Sequence, residues 1–144
     1  MWYSHKFKGA GLRYEIGVCI TSGEIVWAYG GVPCGAWPDV KLARSCIVDA
    51  LDEGEKIIAD GGYNDGETHF ITPSGVNNYC SRLQKLVRAR HETLNARLKT
   101  YHVLSDRFRH PRSKHAMCFY AVVNIVHVAI ISGDSPLFAI EYDE

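Results

Sequence analysis

Two carboxylates in this chain sit where they could do metal-assisted chemistry. Asp60 follows the short apolar run Ile57-Ile58-Ala59 and is followed by Gly61, Gly62 and Tyr63. Glu92 lies thirty-two positions further on, inside the stretch Arg88-Ala89-Arg90-His91-Glu92-Thr93-Leu94-Asn95-Ala96-Arg97. An acid at the carboxyl end of a buried strand stands where open α/β sheets gather their ligands, and adjacent glycines leave room for a cation or phosphate to reach the backbone. Carboxylate pairs of this kind hold Mg2+ or Mn2+. Two such ions activate a water or a 3′-hydroxyl and stabilise the leaving oxygen of an in-line phosphoryl displacement. Each acid also has a plainer reading. Asp60 with its glycines is a turn, and Glu92 with Arg88 is an intrahelical pair worth ~0.2–0.5 kcal/mol. The proximity in helical angle of Val87, Leu94 and Leu98 sets Glu92 beside the apolar stripe, facing a sheet and therefore able to face Asp60.

The elements needed to position these groups can be read from periodicity. Residues 13–20 alternate as a strand, Thr21-Ser22-Gly23 supplies a turn, and residues 24–29 are rich in Ile, Val, Trp and Tyr, so a hairpin is expected. The Gly- and Pro-rich stretch 30–38 reads as a loop. Asp39 is expected to cap a helix over residues 39–51, with Val40, Ala43, Ile47 and Leu51 at helical spacing. Residues 56–59 predict a short covered strand, and 69–72 an extended piece. A long helix follows over residues 78–101, on the apolar positions Leu83, Leu86, Val87, Leu94, Leu98 and Tyr101. Residues 107–113, with Pro111, form a connection, and 114–131 a second long helix closed by Gly133. Residues 137–142 form a terminal strand or an extended tail. The order predicts an α/β molecule, a mixed sheet covered by helices. The first ten residues are too polar to supply a good strand, so the chain reads as beginning after its first strand.

Net charge is zero over 144 residues, yet the charges are segregated. Residues 1–81 carry six Lys/Arg against ten Asp/Glu, residues 82–115 ten against two, and residues 116–144 none against four. The basic middle is the footprint expected for a polyanion, or else a solvated helix face. As candidate phosphate contacts it offers Arg88, Arg90, Arg97, Lys99, Arg107, Arg109, Arg112 and Lys114.

Other chemistries find little support. The five cysteines, none within eleven positions of another, give neither a disulfide framework nor a zinc knuckle and read as structural thiols. His91, His110 and His115 lack a Cys or acid at short spacing to complete a zinc site. His127, on the apolar helix, reads as a core histidine with a hydrogen bond. No phosphate-binding loop, dinucleotide fingerprint or nucleophile elbow occurs. No uninterrupted run of eighteen apolar residues and no signal-peptide pattern is present, so no membrane partner and an intracellular location are expected.

Trp2-Tyr3-Ser4-His5-Lys6-Phe7-Lys8-Gly9 leads into the first hairpin strand, and Gly35-Ala36-Trp37-Pro38-Asp39 follows the second. With Asp60-Gly61-Gly62-Tyr63, the segment from Arg88 through Asn95 with Arg97-Leu98-Lys99, and Arg107-Phe108-Arg109-His110, these make the chain resemble the catalytic domain of DDE-superfamily transposases. Specifically, it resembles the PIF/Harbinger-like endonucleases and their domesticated relatives. The resemblance covers nearly the whole chain in the family's order. It implies a ribonuclease H-like fold, a single partial domain over residues 1–144, and three metal-binding acids, with Asp60 matching the second and Glu92 the third. The first belongs to a strand upstream of the Trp2 segment, so N-terminal truncation is expected; Glu15, on a neighbouring strand, is the candidate substitute. The resemblance further implies Mg2+ or Mn2+ as cofactor, DNA as partner, a separate DNA-binding partner protein, and a nuclear location. With one acid of three lost, weak metal binding and absent or strongly impaired strand cleavage are expected. A non-catalytic nucleic-acid- or protein-binding module derived from a transposase is the alternative, and a remnant without function the third possibility.

Overall fold

The pairing of β-branched and aromatic segments that the sequence suggests is present in the computed structural model, which describes residues 2–4, 8–64, 66, 68–73 and 78–134. The chain divides into two compact units. One comprises Met1–Glu15 with Tyr29–Gln84, and the other Ile16–Ala28 with Lys85–Glu144.

In the first unit, β1 (Tyr3–Ser4) and β2 (Gly9–Ala10) pair antiparallel, with Tyr3 opposite Ala10. Strands β3 (Leu12–Val18) and β4 (Ile25–Pro33) form the expected hairpin. Its open end belongs to this unit, and its turn end, where the Cys19 N–H donates to the Glu24 carbonyl, belongs to the other. Strand β4 continues through Gly30 to Pro33, where a loop was expected. The reason is steric: at Gly30 a Cβ would lie 2.6 Å from the Cα of Tyr14, and φ is +139°, so the strand persists only because the side chain is missing.

Helix α1 (Asp39–Ser45) is shorter than expected. Asp39 is its first residue rather than its cap, that place being held by Pro38. It stops at Cys46 and gives way to a 3-10 turn, Val48–Ala50. Ser45 turns its hydroxyl onto the Leu42 carbonyl at 2.8 Å, and the β-branched pair Ile47-Val48 does not favour continuation. Among the described residues Leu42, Ala43 and Phe70 are the unit's buried apolar ones, and Thr72, two positions after Phe70, is buried too. Strand β5 (Ile57–Ile58) pairs in parallel with β6 (Phe70–Ile71), Ile57 opposite Phe70. The molecule is therefore α/β, and its described strands form three two-stranded pairs.

Helix α2 (Asn78–Lys99) begins in the first unit and runs into the second. Among its described side chains Arg90, Leu94 and Leu98 are the buried ones, one turn apart. After it come the short α3 (His102–Ser105), a 3-10 turn Arg112–Lys114 and α4 (His115–Ile131). Helix α4 buries Phe119, Val122, Val123, Val126 and Ile130 along one stripe, which fixes the second unit's core, and α3 packs against it. Its other side exposes Met117, Ile125, Val128 and Ile131. By length and composition Arg112–Ile131 is long and apolar enough to cross a membrane, a test that the core helix of a soluble protein also passes. The strand or tail expected at residues 137–142 lies outside the described residues.

Candidate functional site

Asp60 leaves β5 at its carboxyl end and opens the 3-10 turn Gly61–Tyr63. One carboxylate oxygen accepts the Gly62 N–H at 2.8 Å, so the turn reading is correct as local structure. The carboxylate is nonetheless exposed, and among the described residues it has no cation partner. A second acid comes close: a Cβ built on Gly62 would lie 3.0 Å from Oδ1 of Asp60 and 4.0 Å from Oδ2 of Asp39. The 3-10 turn and α1 are in contact, which is what brings the two acids together.

Strand β3 supplies the rest of this cluster. Arg13 and Glu15 are two residues apart and so share a face. The Arg13 guanidinium pairs with Asp39 at 2.9 Å, while Glu15 is buried. Asp39 is thus already neutralised by a cation. Tyr63 packs its ring on Phe70, centroids 5.5 Å apart. Its hydroxyl is held far above the ordinary tyrosine range, first by burial and then by the carboxylates of Asp39, Glu15 and Asp60. It therefore remains a protonated donor. Sequence reasoning missed Tyr63 and the Arg13–Asp39 pair. The Arg13-x-Glu15 alternation and the position of Tyr63 three residues after Asp60 are the signals that could have found them.

In the second unit, Glu92 is exposed and does not border the apolar stripe as expected. Arg90, Leu94 and Leu98 take that stripe, and at 100° per residue Glu92 falls almost opposite them. Its neighbours on that face are Lys85, Arg88, Ala96 and Lys99, all exposed. The intrahelical pair with Arg88 is not formed, and among the described residues Glu92 has no ion-pair or hydrogen-bond partner.

Arg90 is not a surface cation. It is 1% exposed, and its guanidinium donates to the carbonyls of Ile20 and Cys19, holding the end of the hairpin. It leaves the group of candidate phosphate contacts, because a fully buried guanidinium committed to carbonyls cannot meet a phosphate. Burial also lowers its affinity for the proton. Arg97 is half-buried and paired with Asp134 at 3.3 Å. Arg88, Lys99, Arg107, Arg109, Arg112 and Lys114 are exposed.

The histidines divide by environment. His91 is bonded on both ring nitrogens, Nε2 donating to the Ile16 carbonyl at 3.1 Å and Nδ1 accepting from the Asn95 amide at 3.1 Å. This arrangement occupies both possible metal-binding atoms. His115 has its proton affinity lowered by burial. His127 is half-buried, but its Nδ1 has no hydrogen-bond partner among the described residues, unlike the bonded core histidine expected. The thiol of Cys19 is lowered to about 7 by the hydroxyls of Ser22 and Thr21. Cys19, Cys34, Cys46 and Cys118 are free.

Among the described residues no group of three or more His, Cys, Asp or Glu side chains is arranged to hold a metal ion. The donors nearest to such a set are Asp60 with Asp39. One oxygen of Asp60 is not engaged by the turn, and a strongly hydrated Mg2+ needs only one or two carboxylates besides water and substrate phosphate. Compared with protein-family models, with curated proteins and with solved structures, the chain gives no match.

Proposed function

We propose that this chain is a divalent-metal-dependent DNA endonuclease module of the DDE transposase type, built on a ribonuclease H-like fold. The observation that carries this reading is a pair of exposed acids that form no ion pair. Asp60 opens outward from the carboxyl end of a parallel strand pair, and Glu92 stands on an exposed basic helix face. An acid and a cation one helical turn apart can pair for ~0.2–0.5 kcal/mol. An acid such as Glu92, left without a partner among Lys85, Arg88 and Lys99, suits a role in which cation and phosphate are both supplied by the complex.

Asp60 and Glu92 would each offer a carboxylate to Mg2+ or Mn2+, which when bound lowers the proton affinity of a water or 3′-hydroxyl and stabilises charge on the phosphate. In such a displacement a new O–P bond forms as the P–O bond to the leaving strand breaks, and the departing oxygen takes up a proton. Tyr63, kept protonated beside Asp60, contributes a neutral donor to that environment. Arg88 and Lys99 would hold the polyanion, with a separate DNA-binding protein bringing the complex to its target; residence in the nucleus belongs to the same reading.

Two measurements test it. Mn2+ titration should show weak binding that Asp60→Ala and Glu92→Ala each weaken by about tenfold or more. Nicking of supercoiled plasmid with Mg2+ or Mn2+ should be slow and lost in both variants. Retention of both properties in both variants sinks the nuclease reading. The exposed basic residues Arg88, Lys99, Arg107 and Arg109 favour the second reading, a DNA-binding module without catalysis. It predicts that both acids are dispensable while neutralising Arg88 and Arg109 weakens binding.

A further inference from the structure

We propose that the connection between α3 and α4 binds single-stranded DNA, stacking one base on Phe108 while Arg107 and Arg109 hold its phosphates. The proposal deepens the DNA-processing reading above and rests on it. Phe108 is half-buried, and its ring meets His110 and His115 edge-on, with centroids 5.5 Å and 4.7 Å away and interplanar angles of 68° and 70°. Two imidazoles thus hold the ring in one orientation. With Arg107, Arg109 and His110, Phe108 lines an open cleft of ≈ 490 Å³, within the range that accepts a small organic ligand.

Cations predominate in this connection. The single acid between residues 102 and 115 is Asp106, and it is engaged by His102 at 3.1 Å and by the Ser105 hydroxyl at 3.2 Å. Among the described residues the side chains of Arg107, Arg109 and Lys114 have no ion-pair or hydrogen-bond partner. Such cations suit phosphates of any nucleic acid. An aromatic ring set among them adds affinity only when a base leaves its stack, because every base has a π-face but a duplex hides it. That combination selects single strands over duplex, and DNA over an acidic peptide, which would use the arginines and ignore the ring.

Fluorescence anisotropy on the full chain, with oligo-dT and a duplex of equal length, tests this. Phe108→Leu keeps the apolar volume and should weaken oligo-dT binding about tenfold while leaving duplex binding unchanged. The Arg107→Gln, Arg109→Gln double variant should weaken both. Equal loss on both ligands in Phe108→Leu, no loss on oligo-dT, or competition by oligo-glutamate as effective as that by oligo-dT overturns the proposal. Because Phe108→Leu could perturb the loop, wild-type protein supplies an independent reading: a 2-aminopurine in the oligonucleotide should be quenched on binding, and unchanged emission refutes the stack. Duplex binding that persists without single-strand preference removes this inference and leaves the DNA reading standing. Binding to neither ligand removes both.

Discussion

A guanidinium that is 1% exposed has given up nearly all of its hydration, and the carbonyls of Cys19 and Ile20 must replace it. The replacement is directional, with Nη1 donating to both carbonyls, and Lys, with a shorter and differently shaped head on a flexible stem, would reproduce it only in part. Arg90→Ala would leave those carbonyls without their donor and open a cavity among Leu94 and its neighbours. The expected loss is about 2–4 kcal/mol of unfolding free energy, read by urea denaturation. Arg90→Lys should fall between the variant and wild type. If Arg90→Ala unfolds at the wild-type midpoint but binds DNA more weakly, Arg90 is a phosphate contact after all. Its position could not be read from the chain, because a cation inside Arg88-Ala89-Arg90-His91 carries no mark of burial. What decides is the hairpin end that meets it, and that contact spans about seventy residues of sequence.

Among elements, the β3–β4 hairpin matters most to the acidic cluster, since β3 carries both Arg13 and Glu15. Its continuation past Gly30 depends on the close approach of two backbones. Gly30→Ala would drive a Cβ toward Tyr14 Cα at a position where φ is +139°, and it should cost about 2 kcal/mol or more. Gly54 is the comparison: its φ is +83°, but nothing lies within 4 Å of its added Cβ, so Gly54→Ala should cost about 1 kcal/mol. Thermal melts of the two variants decide it, and equal shifts would mean that only backbone conformation, not space, matters at Gly30. The hairpin, α2 and α4 were readable because period and turn chemistry agree over many residues in each. The end of β4 and the stop of α1 were not. The first is fixed by a partner strand, the second by a serine that turns back on its own helix. Local pattern contains neither fact.

At the scale of the whole molecule, zero net charge conceals a basic segment between two acidic ones. The location of Asp60 was legible, since an apolar run ending in Asp-Gly-Gly fixes a strand mouth. The company it keeps was not, because Asp39 and Arg13 reach it only through folding. The charge count also overstated the usable surface: of the eight candidate phosphate contacts, Arg90 is buried and Arg97 is held by Asp134. This gives a measurable distinction. Neutral overall charge supplies little long-range attraction, so duplex binding should arise from local contacts, each releasing counterions as it forms. The slope of log affinity against log salt should become shallower by about 0.9 for Arg88→Gln and again for Lys99→Gln. Arg97→Gln should change it far less, because that guanidinium already has an anionic partner. Arg90→Met, wherever it remains folded, should not change the slope at all. A slope that responds to Arg97 as strongly as to Arg88 would mean that the Asp134 pair opens on binding. A slope near zero would mean that the basic face is merely solvated, and the DNA reading would then lose its electrostatic basis.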